Sequence, residues 1–219
     1  MHRDLWKLTS VTVPLPFVDV TQSGLRLARK VCIVAPGPNG RGHYRRIPAD
    51  FQIVAVSKAV LIPDLRPAIW IMTHSDQPWF AEANRSFRGT RVFSYDAALR
   101  AVLALQGMPD CYYFVPPRDS FLEPEVPHSL DGVIRYGATV SACAIQFAYF
   151  FGAAEILLCG VDLSGDGYFD GTVNVNAYHG DTWPAVQRLQ PLLNHLIEDK
   201  RLLIATLSPT RLELPTYGM

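Results

Sequence analysis

Seven short, continuous apolar runs punctuate this chain, and they constrain its fold more than any other feature. They are Lys30–Ala35, Phe51–Val56, Ala68–Met72, Arg91–Phe93, Cys111–Val115, Glu155–Cys159 and Leu202–Leu207. A run without polar alternation, bounded by glycine and proline, suits a strand buried on both faces, as in a parallel sheet. Helical patterns lie between them. Asp96–Gln106 begins with a cap-type residue, Asp96, and stops at Gly107. Ala138–Phe151 is apolar on all sides, which predicts a central packed helix. Trp183–Glu198 follows Thr182 as a cap, accepts Pro184 in its first turn, and carries Pro191 inside, where a kink is expected. Alternating strands and helices predict an α/β fold: one Rossmann-like, doubly wound, mostly parallel sheet with helices on both faces. Ligands of such sheets bind at the carboxyl ends of the strands, so chemistry is sought in the segments that follow them. A single nucleotide-binding domain is expected over 1–219. It has a strand-like amino-terminal arm over 1–28, and a lid or loop insertion over 116–135 around the Pro-rich stretch Arg118–Arg135.

Charge narrows the partners. Twenty basic and twenty acidic side chains cancel, and charged residues make up 18% of the 219. A duplex nucleic-acid binder carries a basic excess to displace counterions, so no nucleic-acid partner is expected. With 49% apolar residues and no net charge, disorder is excluded too. Of the four cysteines, Cys32, Cys143 and Cys159 sit in apolar runs; with Cys111 they form no CxxC pair. No structural zinc is expected, and reduced thiols in a cytoplasmic protein are. The amino terminus carries Asp4 and Lys7 and does not read as a signal peptide. The longest apolar stretch, Ala138–Gly152, falls short of the ~20 residues of a membrane span, so no transmembrane segment is expected.

Four post-strand segments carry candidate chemistry. Gly37-Pro38-Asn39-Gly40-Arg41-Gly42-His43 follows the first apolar run. It matches neither the phosphate loop, which needs Lys-Ser/Thr, nor the GxGxxG dinucleotide fingerprint. It reads either as a nucleotide contact, through free N–H groups at Gly37 and through Asn39, or as a plain turn before a helix. Thr73-His74-Ser75-Asp76-Gln77-Pro78-Trp79-Phe80 follows the third run. Asp76 either caps the next helix or accepts from a sugar or pterin, with Trp79 stacking on a ring. Arg135, with Thr139 and Ser141 at the start of the apolar helix, makes an anion site from a guanidinium and a helix amino terminus. Gly160-Val161-Asp162 then delivers a carboxylate to the active edge. Asp162, Asp166 and Asp170 either gather a divalent cation or form a solvated acidic loop, and their spacing is not that of an EF-hand. Tyr168 can donate to a phosphate. His179, in Tyr178-His179-Gly180-Asp181, is the best-placed general base. His195, mid-helix, reads as a surface or packing residue.

Arg135-Tyr-Gly-Ala-Thr-Val, the apolar helix, and Gly152-Ala-Ala-Glu-Ile-Leu-Leu-Cys-Gly-Val-Asp162 together resemble two related groups. One is the bacterial CMP-sialic-acid-dependent sialyltransferases. The other is the hydroxymethylpterin pyrophosphokinase-like family, many of whose members lie in surface-polysaccharide loci. The likeness extends to Gly37-Pro38, Tyr168, His179-Gly180, the helix from Trp183 and Leu207-Ser208-Pro209, about 150 residues at low identity. The sialyltransferase resemblance implies an inverting, metal-independent transfer from a CMP-type nucleotide sugar to a glycan acceptor, with no cofactor. His179 would deprotonate the acceptor and Tyr168 would stabilise the departing phosphate. Arg135, Thr139 and Ser141 would hold charged groups or the nucleotide. Four positions depart from that family: Pro36, Ser57, and Met72 or Thr73 stand where it carries asparagines, and Ser164 where it carries a second phosphate-binding tyrosine. The pyrophosphokinase-like alternative implies an ATP-dependent diphosphotransferase with Mg2+ on Asp76 and Asp162. A non-catalytic nucleotide-binding relative is a third reading. Exposed aromatics and the Pro-rich stretch make a homo-oligomer a further expectation.

Overall fold

The computed structural model describes residues 17–105, 108, 110–116, 134–135, 139–164, 167–172 and 183–218. Eight strands, β1 (Val18–Asp19), β2 (Lys30–Val34), β3 (Gln52–Val56), β4 (Ile69–Met72), β5 (Thr90–Ser94), β6 (Cys111–Phe114), β7 (Glu155–Cys159) and β8 (Leu203–Thr206), form one sheet in the order β1-β6-β5-β4-β3-β2-β7-β8. Every pairing is parallel, from Val31 against Gln52 to Glu155 against Leu203. All seven apolar runs are strands. The eighth strand, β1, lies in the amino-terminal arm and pairs with β6. The chain winds outward from β2 through β6, then returns to set β7 and β8 on the other side of β2. This is the doubly wound order, and its reversal falls between β2 and β7.

Burial on both faces explains the continuous runs. In β2, Val31 and Ile33 enter one core while Cys32 and Val34 enter another. In β4, Ile69 and Ile71 face the first core and Trp70 and Met72 a third. The first core is roofed by α4 (Val140–Phe150) and α5 (Trp183–Glu198), the third by α1 (Phe80–Ser86), α2 (Tyr95–Arg100) and α3 (Val102–Leu105). Residues Ser141–Ala148 of α4 are all buried, and the helix packs across β2, β3 and β4, as its unbroken hydrophobicity implies. On α5, Val186, Leu189, Leu192, Leu193 and Leu196 make one buried stripe that continues past Pro191. Thr182, the expected cap of this helix, lies outside the described residues. Trp70 anchors the third core, with the rings of Phe80, Phe87 and Phe93 at 5.7, 5.8 and 5.2 Å.

Two helix starts differ from the sequence reading. The segment Asp96–Gln106 begins one residue earlier and breaks at Ala101 into α2 and α3. Its cap is Ser94, whose Oγ accepts from Ala97 N; Asp96 sits in the first turn, where its charge favours the helix dipole. Asp76 caps nothing: α1 starts at Phe80, and the preceding residue, Trp79, makes no capping bond. Beyond β8 the chain folds back on itself. Thr206 N donates to Pro215 O, Tyr217 N to Thr206 O, and the Tyr217 ring meets Phe51 edge-on at 5.9 Å.

Candidate functional site

The strand order reverses between β2 and β7, the place where sheets of this kind bind ligands, and the loops beyond their carboxyl ends are stitched together. Ala35 N donates to Cys159 O at 2.8 Å and Gly37 N to Gly160 O at 3.0 Å. Gly160 has φ +71, and its N–H is taken by Ser208 Oγ from beyond β8. Asp162 comes next, 3% exposed, with its Oδ2 accepting from Asn39 N at 2.5 Å. Gly37 must be glycine because a Cβ there would stand 2.5 Å from Asp162 Oδ2 and 2.6 Å from its Cγ. The donors expected to lie free in this glycine turn are therefore turned inward. Gly37 and Asn39 serve β7's loop, while Gly40 N and Arg41 N bond to Gly37 O and Pro38 O within the turn. The physical reason is that a buried carboxylate has to be hydrogen-bonded. Nor does an α-helix follow: residues 38–40 and 43–46 are 3-10 turns. Asn39 and Arg41 are the exposed side chains of this loop.

The segment after Asp162 folds back over β2 and β3. Phe169 N donates to Pro36 O at 2.7 Å. Asp170 Oδ2 takes Lys58 Nζ at 2.6 Å, and Thr172 Oγ1 takes the same ammonium at 2.7 Å. Thr172 in turn donates to Asp170 Oδ1 from both its hydroxyl and its amide. Lys58 is 7% exposed and stands just past β3, so this contact bridges β3's loop to β7's loop over the end of β2. Its ammonium is 5.1 Å from the centroid of the Tyr168 ring. Burial, and then the Asp170 carboxylate, push the Tyr168 phenol above its ordinary range. The hydroxyl therefore stays protonated at neutral pH and is a donor for an anionic oxygen. Ser57 has φ +50, an uncommon backbone for a residue with a side chain. Its carbonyl is held by Trp70 Nε1 at 2.9 Å, tying the β3 loop to the aromatic core.

α4 brings the third group. Its carboxyl end meets the amino end of β2, where Leu27 N donates to Phe151 O and Ala154 N to Arg29 O. An eleven-residue helix is ~16 Å long and a five-residue strand about the same, so the start of α4 reaches the carboxyl edge of the sheet. Thr139 Oγ1 caps it by accepting from Ala142 N at 3.1 Å, and Ser141 is buried in the first turn. Arg135 is clamped beside the middle of α4 through its main chain. Its N donates to Gln146 Oε1 at 3.0 Å, and its carbonyl accepts from Gln146 Nε2 at 2.8 Å and Cys143 Sγ at 3.3 Å.

Other candidates lie apart. Asp76 is exposed after β4 and pairs with Arg100 Nη1 at 3.7 Å; Trp79 packs half-buried on the aromatic core. Strands β4 and β7 are three spacings apart, roughly 14 Å, so Asp76 and Asp162 do not share one ion. Asp162 and Asp170 are engaged by Asn39 N and Lys58 rather than facing a common cation, and Asp166 lies outside the described residues. Among the described residues no three His, Cys, Asp or Glu side chains gather as metal ligands. His179, Tyr178, Gly180 and Asp181 also lie outside them, as does 117–133 of the Pro-rich stretch. His195 bonds Asp199 Oδ2 through Nδ1 one turn on, a helix-surface role. Ser164 follows Leu163, whose φ is +53, and its Oγ is buried with no hydrogen-bond partner among the described residues. All four cysteines are buried thiols with no disulfide between them. No described helix is long and apolar enough to cross a membrane.

Sequence reasoning missed Lys58 and Gln146. A lysine directly after an apolar strand, and a lone amide in an otherwise apolar helix, were the signals available.

No protein-family model and no curated protein matches this chain. Solved structures do. The monofunctional α-2,3-sialyltransferase Cst-I from Campylobacter jejuni aligns with a TM-score of 0.52 at 14% identity, over 88% of this chain and 78% of its own. The sialyltransferase CstII from Campylobacter jejuni, in complex with the substrate analogue CMP-3FNeuAc, aligns at 0.48 and 16% identity over 83% of this chain and 82% of its own. The likeness to Cst-I establishes a common fold, and the resemblance to bacterial sialyltransferases holds at that level.

Proposed function

We propose that this protein is a nucleotide-sugar-dependent glycosyltransferase of the sialyltransferase-like kind. It takes a CMP-type donor and a glycan acceptor, within a single domain over 1–219, and acts in surface-polysaccharide synthesis in the cytoplasm. What chiefly supports this reading is the carboxyl edge at the β2/β7 reversal, where the turn that carries Tyr168 is folded over the loops that Asp162 locks together.

In this mechanism the acceptor hydroxyl oxygen bonds to the anomeric carbon as the bond from that carbon to the phosphate oxygen breaks. The hydroxyl proton passes to His179, and the electron pair leaves on the nucleotide phosphate. Tyr168 donates a hydrogen bond to that phosphate as its charge develops, which is where preorganised donors contribute most. Arg135 and the amino terminus of α4, with Thr139 and Ser141, supply positive potential at the same edge. Asn39 and Ser57 line the nucleotide side, with Gly37 shaping the turn. Asp162 fixes the floor by holding Asn39 N. Asp76 and Trp79, farther along the edge, belong to the acceptor side.

A thermal-shift panel of CMP, CDP, UDP, GDP and ATP, each with and without magnesium, tests the donor. Cytidine nucleotides are expected to raise Tm without magnesium; if none does, the donor assignment fails. His179→Ala is expected to lower transfer by roughly 10²- to 10⁴-fold, the usual worth of a general base, while leaving the cytidine nucleotide shift in place.

A further inference from the structure

A buried lysine needs a reason, because taking an ammonium out of water is costly unless it is paired and hydrogen-bonded. Lys58 is satisfied by residues 112 and 114 positions away in sequence, Asp170 and Thr172. Both belong to the short segment that carries Tyr168. That segment is closed on itself by Tyr168 N to Thr172 O at 2.9 Å and Gly171 N to Tyr168 O at 2.9 Å. It rests on β2 through Phe169 N to Pro36 O. Lys58 is thus a polar contact between this turn and the loop after β3, beside the apolar packing of Phe169, and its ammonium also stands against the face of the Tyr168 ring at 5.1 Å. A cation at that distance from an aromatic face is attracted by the ring quadrupole and restricts how the ring turns.

We propose that Lys58 is a positioning residue for Tyr168: with Asp170 and Thr172 it straps the 167–172 turn across the ends of β2 and β3 and fixes the phenol at that carboxyl edge. It acts through Tyr168 and does not touch the nucleotide. The proposal rests on the functional reading above for what Tyr168 then does, but not for the strap itself. Lysine suits the strap because its three donors serve Asp170, Thr172 and the ring face together.

Two measurements separate the strap from the function. The first needs no ligand: nitration by tetranitromethane, read at each tyrosine by peptide mass spectrometry. Lys58→Met is expected to raise nitration of Tyr168 several-fold while leaving Tyr149 on α4 unchanged, and Lys58→Arg to keep the wild-type pattern. An unchanged Tyr168, or an equal rise at Tyr149 reporting general loosening, overturns the proposal. The second is calorimetry with CMP well below Tm. Lys58→Met is expected to weaken CMP about tenfold, and to have no further effect in a Tyr168→Phe background, because two residues acting through one contact are not additive. An equal loss in that background would make Lys58 a ligand contact and overturn the proposal. A wild-type protein that binds no CMP overturns the donor assignment instead, and nitration alone then decides the strap.

Discussion

Asp170 shows how much a single side chain can report. Burial by itself raises its carboxyl, but the hydrogen bonds from Lys58 and from the Thr172 hydroxyl and amide, with the Lys58 charge, outweigh that and hold it at about 2 against an ordinary 3.8. The folded value lies below the unfolded one, so the unfolded chain binds the proton first. The stability contributed is complete above 3.8 and is lost as pH falls from there towards about 2. Wild type is therefore expected to exceed Asp170→Asn in Tm near neutrality, with the gap closing over the acid range. Melting curves at a series of pH values check this; a gap independent of pH would contradict it. The partners of Asp170 were not legible in the sequence. Asp162 was, as a carboxylate after a strand, but its partner Asn39 is 123 positions away, and hydrogen-bond partners at that distance leave no local pattern.

At the scale of elements, strands were legible and their ends less so. All seven apolar runs pair in the sheet because burial on both faces forces unbroken hydrophobicity. Helix starts were harder wherever two capping residues compete. Ser94 and Asp96 are both cap-type, and Ser94 prevails because it ends β5 with an extended backbone (φ -62, ψ 153) from which its Oγ reaches Ala97 N. The glycine turn after β2 was legible as a turn, yet its purpose was not. Its donors serve a buried carboxylate from β7 and not an open cradle. A consequence belongs to this turn: Gly37→Ala pushes a methyl into Gly160 O and the Asp162 carboxylate and should destabilise the fold by about 1–3 kcal/mol, the range of overpacking. Gly42→Ala, with open space around its Cβ, bears only the backbone strain of φ +83. Denaturant titration of both variants tests the contrast, and equal losses would refute the steric account.

Over the whole molecule, four thiols lie in three places: Cys143 on the buried part of α4, Cys32 and Cys159 on the opposite face of the sheet, and Cys111 in the aromatic core. Burial pushes Cys111 up to about 11 and Cys159 to about 12, with Asp162 adding to the latter. Cys32 and Cys143 are raised as well, again by burial. Thiolate, the reactive form, is thus suppressed while the layers stay packed. At pH 8 Ellman's reagent is expected to find almost no thiol in the native protein and four after denaturation; rapid native labelling would show that a layer opens. Neutral overall charge was legible as an argument against polyanions. The pairing of Lys58 with Asp170 and Thr172 was not, since a sum of charges carries no positions.

The chain beyond β8 has a bearing on how copies of this protein meet. A parallel sheet ends in two unpaired strands, each a template on which another molecule can stack. Among the described residues, one margin here is the two-residue β1, a short template. At the other, Thr206 pairs with Thr216 of the same chain, so self-association by strand addition is obstructed where β8 ends.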